Sequence, residues 1–200
     1  MTARDSKTQY RPVDELQLRF YPGCNLRPER IRQLEEDAVS PDELTTDDIV
    51  YKLSRMVTDT MYGILEVVEE RWGKDVAHEV CLEWARRRSR VSVQRFMKTR
   101  SVQKLTPGVW AEFQDYRHLI SGPVHAGSFI TYEDDTHLLM NRQSCLFHTH
   151  RPEGMDSYSE TFSSGCFIGY NEAFPEFSGE TLICMSRGDS RCQLRFTIRP

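Results

Sequence analysis

Apolar residues recur at helical spacing from Ile49 onward: Ile49, Val50, Leu53, Met56, Val57, Met61, Ile64, Val68 and Trp72 fall mostly three or four apart, the period of one face of an α-helix. The Ser/Thr/Asp-type cluster Thr45-Thr46-Asp47-Asp48 supplies the cap at its start, and Gly73 ends it. A second amphipathic run follows, with Val76, Val80, Cys81, Trp84 and Ala85 on one side and Glu79, Glu83, Arg86 and Arg87 largely on the other. The pair predicts a helical hairpin about Gly73. Thr106 then stands before Pro107 as a cap residue before a proline at the first helical position, and Val109, Trp110, Phe113, Tyr116 and Ile120 keep the helical period up to Gly122-Pro123.

Beyond Pro123 the period becomes two. Residues 128–133, the turn Asp134-Asp135 and residues 137–141 predict a β-hairpin. From His148 to Phe174 the pattern is less regular and predicts only helical turns. The chain closes with residues 179–185, a turn at Arg187-Gly188-Asp189, and a strand in which Cys192, Leu194, Phe196 and Ile198 alternate with polar residues, so that one face is buried. The fold class expected is α+β, with N-terminal helices packed on a C-terminal antiparallel sheet. Residues 1–44, with Pro12, Pro22, Pro28 and Pro41, read as a partly ordered arm holding one short helix from Pro28 to Glu36, and residues 45–200 as one small-molecule-binding domain.

Charge alters this picture little. The net charge of −4 gives no general attraction to nucleic acid, and the basic run from Arg86 to Lys104 has no interleaved aromatic residues for base stacking, so it reads as a solvated helix face. No run approaches the length of a membrane span, and the N-terminus lacks the apolar stretch of a signal peptide, so a cytoplasmic protein with no membrane partner is expected. In that compartment the six cysteines are thiols, to be weighed as core, metal or catalytic groups.

Counting outward from a three-residue loop at Arg187-Gly188-Asp189 sets Cys184 opposite Cys192, close enough for two thiolates to share a metal. A tetrahedral zinc would draw further ligands from Cys166, Cys145, Glu180, His148 and His150. Cys145 stands near His148 and His150, and a nucleophilic thiol needs such a base or cation. Simple packing of thiols in a core hairpin is the third reading. Cys24 and Cys81 carry no functional expectation.

Helices followed by a strand pair, Cys145, Cys166, and the ending Phe174-Pro175, Leu182, Gly188-Asp189, Cys192, Phe196 resemble the L-2-amino-thiazoline-4-carboxylate hydrolase family. The ending is also similar to the 4-vinyl reductase domain family, which includes sensor domains. The first resemblance implies a hydrolase opening a C–N or C=N bond in a small nitrogen-containing substrate, cyclic or open. Cys145 or Cys166 would be its nucleophile, and His148 or His150 its base and later acid. The second implies a non-catalytic sensor or carrier stapled by zinc on Cys166, Cys184 and Cys192, with Glu180 beside the position where that family has a glutamate. Both imply a small-molecule ligand. A third reading is a scaffold that dimerises through its N-terminal helices: Val50, Val57 and Leu65 form a second apolar stripe on the helix from Thr46 to Trp72 for a partner to cover, and related folds pair in that way by resemblance, so a homodimer is expected.

Overall fold

The computed structural model describes residues 26, 28–121, 128–142, 146–149 and 151–199. Helix α1 (Pro28–Glu35) and a 3-10 turn (Pro41–Glu43) lead into α2 (Thr46–Trp72), α3 (Lys74–Arg100) and α4 (Pro107–Ser121). Strands β1 (Ser128–Tyr132) and β2 (His137–Arg142) follow, then the short α5 (Leu146–Thr149), α6 (Tyr158–Ala173), β3 (Phe177–Ile183), a 3-10 turn (Met185–Arg187) and β4 (Cys192–Ile198). This is an α+β fold, as the patterning predicts. No helix among the described residues is long and apolar enough to cross a membrane.

The start of α2 follows from its sequence. Thr45 Oγ1 accepts the Asp48 amide at 3.2 Å while the Asp48 carboxylate accepts the Thr45 amide at 2.8 Å, a reciprocal capping box. Asp48 also takes two hydrogen bonds from Arg30 of α1, which fastens the short helix to the long one. Gly73 at φ +92°, a backbone conformation open to glycine, turns the chain from α2 into α3.

The sheet is antiparallel with order β1-β2-β4-β3. Leu138, Met140 and Arg142 of β2 stand opposite Phe196, Leu194 and Cys192 of β4 and share their face. That face meets the helices. At its centre Trp110 of α4 is fully buried, edge-on to Tyr170 and Phe196 and tilted against Phe177.

Two elements depart from the pattern-based expectation. The irregular stretch before Phe174 contains the 16-residue α6. Its Ser163, Ser164, Gly165 and Gly169 are weak helix formers, which hides it in sequence, yet the two glycines are what let it press onto α3: a Cβ at Gly169 would lie 2.1 Å from the Arg86 carbonyl oxygen and one at Gly165 would lie 2.4 Å from that of Leu82. The apolar stripe of α2 is also divided. Its core side carries Tyr51, Ser54, Thr58, Met61, Tyr62 and Leu65, whereas Ile49, Leu53, Met56, Val57, Ile64 and Trp72 are exposed. Leu65 therefore belongs to the core and does not join Val57 on an outer stripe.

Candidate functional site

The geometry gathers at the top of β4. Cys184 and Cys192 are both 7% exposed, and their sulfurs lie 3.7 Å apart with Cys192 donating to Cys184. The Met185 amide in turn donates to the Cys192 sulfur at 3.2 Å. A bulge produces this pairing. Thr181 stands opposite Leu194 but Ile183 opposite Gln193, so Leu182 is an extra residue in β3 and Cys184 arrives beside Cys192.

The connecting turn is clamped from both sides. Asp189 accepts the Cys184 amide at 2.9 Å, and Gly188 takes the left-handed φ of +93°. The Ser186 hydroxyl lies 3.1 Å from the Cys184 sulfur and donates to Glu160 of α6 at 2.9 Å. Arg187 holds the same carboxylate from the other side, at 2.6 Å from Oε2, and its hydrogen bonds keep the Glu160 carboxyl below its ordinary range.

The Cys184 thiol is pulled down to about 6, first by the hydrogen bond from Cys192, which outweighs burial, and next by Ser186. The hydrogen bond from Cys192 thus favours the thiolate form of Cys184. Both thiols line a cavity of about 20 Å³ together with Arg142, His148, Ser159, Phe162, Ser163 and Ser186. Burial, and then the Arg151 cation, lower the His148 pKa. Arg151 Nη1 lies 3.0 Å from His148 Nδ1. Arginine can only donate, so Nδ1 accepts and the ring hydrogen sits on Nε2.

The structure therefore brings Cys184, Cys192 and His148 together. Cys166 lines an adjoining cavity of about 10 Å³ that shares Arg142, Phe162, Ser163 and Leu194 as walls. It also lies near Cys81, whose thiol is pushed up to about 12, first by burial and then by Cys166. Glu180 is on the opposite face of the sheet, 3.2 Å from Arg195 and 58% exposed at its side chain. An unbroken ladder from Cys184 opposite Cys192 would have put it on the sulfur side; the bulge at Leu182 reverses the alternation. Cys145 and His150 lie outside the described residues.

Among the described residues no group of three or more His, Cys, Asp or Glu side chains is placed to hold a metal ion. Cys184 and Cys192 supply two thiols where a structural zinc needs four ligands. Sequence reasoning passed over Arg142, Ser186 and Glu160. Arg142 had a signal, since it ends the inward series Leu138, Met140, Arg142 and is only 8% exposed. Glu160 and Ser186 had none, being 26 positions apart on separate elements.

No family model matches the chain, and no curated protein matches it. Among solved structures, a trafficking protein particle complex subunit 3 from Naegleria fowleri covalently bound to palmitic acid is similar at a TM-score of 0.46 and 13% identity, over 75% of this chain and 97% of that one.

Proposed function

We propose that the protein is a small-molecule hydrolase that opens a C–N or C=N bond in a small nitrogen-containing substrate, with Cys184 as its nucleophile. One observation carries this reading: inside a cavity, the buried Cys184 sulfur accepts a hydrogen bond from a second thiol 3.7 Å away, which lowers its pKa. Addition of the Cys184 sulfur to the electron-poor carbon forms a C–S bond. The departing nitrogen takes the proton of Cys192 as the C–N bond breaks, and the Met185 amide steadies the sulfur left behind. Water then adds to the same carbon, the C–S bond breaks, one water hydrogen returns to Cys192, and the Cys184 thiolate is restored.

His148, carrying its hydrogen on Nε2, serves this scheme as a donor to the substrate and not as its base. Each of the two cavities is the size of a water molecule or so, so a ring-sized substrate requires the Phe162 side chain that walls both to leave its place and give up its own volume.

The test is turnover of a thiazoline carboxylate by Cys184→Ser, Cys192→Ser, Cys166→Ser and Cys145→Ser variants. Loss of more than about a hundredfold is expected in Cys184→Ser, with Cys166→Ser and Cys145→Ser retaining activity. Wild-type rates in Cys184→Ser would overturn the assignment. Wild-type protein that binds the compound without consuming it would favour the ligand-binding module instead.

A further inference from the structure

The cavity at the two thiols is small for a ring but suits a smaller reactant. Its volume of about 20 Å³ holds one water molecule, and hydrogen peroxide, with one oxygen more, is only slightly larger. Cys184 and Cys192 both line it, and so does Arg142, which is buried and stands opposite Cys192 in the ladder. Ser159 and Ser163 of α6 add two hydroxyls to the wall. A thiol that reacts with peroxide needs help for its thiolate form, a cation for the oxygen that departs, and a second thiol to complete the reaction. Cys192 donates to the Cys184 sulfur across 3.7 Å, Arg142 brings the positive charge, and Cys192 is also the second thiol.

We propose that the protein is also a thiol peroxidase, in which Cys184 reduces hydrogen peroxide and Cys192 resolves the product into a disulfide. The Cys184 thiolate attacks one peroxide oxygen, an S–O bond forms and the O–O bond breaks, which leaves Cys184 as a sulfenic acid and a hydroxide beside Arg142. That hydroxide takes the Cys192 proton and becomes water. The Cys192 thiolate then attacks the Cys184 sulfur, the S–S bond forms, the S–O bond breaks, and a second hydroxide leaves to be protonated by solvent. Two electrons have passed from the sulfurs to the peroxide, and a dithiol reductant returns two by exchange. The sulfurs have to close only from 3.7 Å to about 2 Å. The reaction does not depend on hydrolysis, and a protein inert to thiazoline carboxylates would still show it.

The rate of Cys184 oxidation in the full chain, read by acid quenching and mass spectrometry, tests it. With hydrogen peroxide at pH 7 the rate constant should exceed that of free cysteine by about a hundredfold or more, and dithiothreitol as the dithiol should sustain turnover. Cumene hydroperoxide, too large for the cavity, should fall behind by about tenfold or more once each rate is divided by that of free cysteine. In Cys192→Ser, dimedone should capture Cys184 as its sulfenic acid and no bridge should form. Arg142→Met should lose about tenfold or more with peroxide and keep its rate with iodoacetamide, a neutral alkylating agent, which separates loss of the cation from loss of the fold. A rate no faster than that of free cysteine, cumene hydroperoxide keeping pace with hydrogen peroxide, or dimedone captured on another thiol would each overturn the proposal.

Discussion

Gly169 of α6 lies so close to Arg86 of α3 that an added Cβ would stand 2.1 Å from the Arg86 carbonyl oxygen and 2.9 Å from its carbon. Backbone meets backbone there, and neither can swing aside as a side chain would. Gly169→Ala should therefore force α6 off α3 and lower stability by about 1–3 kcal/mol or more, read as a fall in the urea midpoint. Because α6 also carries Glu160 and Phe162, the same variant should loosen the thiol site and speed alkylation of Cys184.

Arg30 and Asp48 give a second prediction. The Asp48 side chain has no solvent exposure and accepts from Arg30 and from the Thr45 amide. The hydrogen bond from Arg30, which outweighs burial, holds its carboxyl well below the usual range. A carboxyl depressed by folding contributes stability above its unfolded value near 4 and loses it as pH falls further. Arg30→Ala should cost about 1–3 kcal/mol at neutral pH, with the difference from wild type shrinking in acid. Melting temperatures of both proteins between pH 7 and pH 3 check it.

The thiol pair titrates in the opposite part of the scale. Folding lowers Cys184 from the ordinary thiol value of 9.0 to about 6, so between those limits the folded chain binds fewer protons than the unfolded one. Its contribution to stability is complete above pH 9 and is lost as pH falls through 6. The pH profile of Cys184 alkylation should have its midpoint near 6. Cys192→Ala should move that midpoint up further than Ser186→Ala does, since Ser186 has a single hydroxyl hydrogen to divide between Cys184 and Glu160.

Oxidation offers a reading that is independent of turnover. Sulfurs 3.7 Å apart on neighbouring backbone segments need only a small approach to join. Diamide should link Cys184 to Cys192, seen by mass spectrometry as one bridged peptide, while Cys81 and Cys166 remain thiols. Activity should vanish with the bridge and return on reduction.

Much of this architecture is legible in the residue pattern. Thr45 to Asp48, Gly73 and Pro107 mark the starts of three helices to within a residue, because caps and prolines act locally. Helix α6 escapes because its glycines lower local propensity in exchange for a contact 83 positions away in the chain. The meeting of Cys184 with Cys192 is also legible by counting, although the loop differs from the simple one assumed. The side taken by Glu180 is not, for it turns on one unpaired residue that no periodicity announces. Nor can spacing show that α2 sends Ile49, Leu53 and Ile64 outward, since a period of 3.6 describes a face without saying what covers it.

Leu182 stands outside the ladder, and the pairs Thr181–Leu194 and Ile183–Gln193 close on either side of it. Its loss would leave a plain ladder, with the two thiols still facing each other and the Glu180 carboxylate still beside Arg195 on the far side of the sheet. Only drawing Leu182 into the pairing, with every residue before it slipped by one, would turn that carboxylate inward.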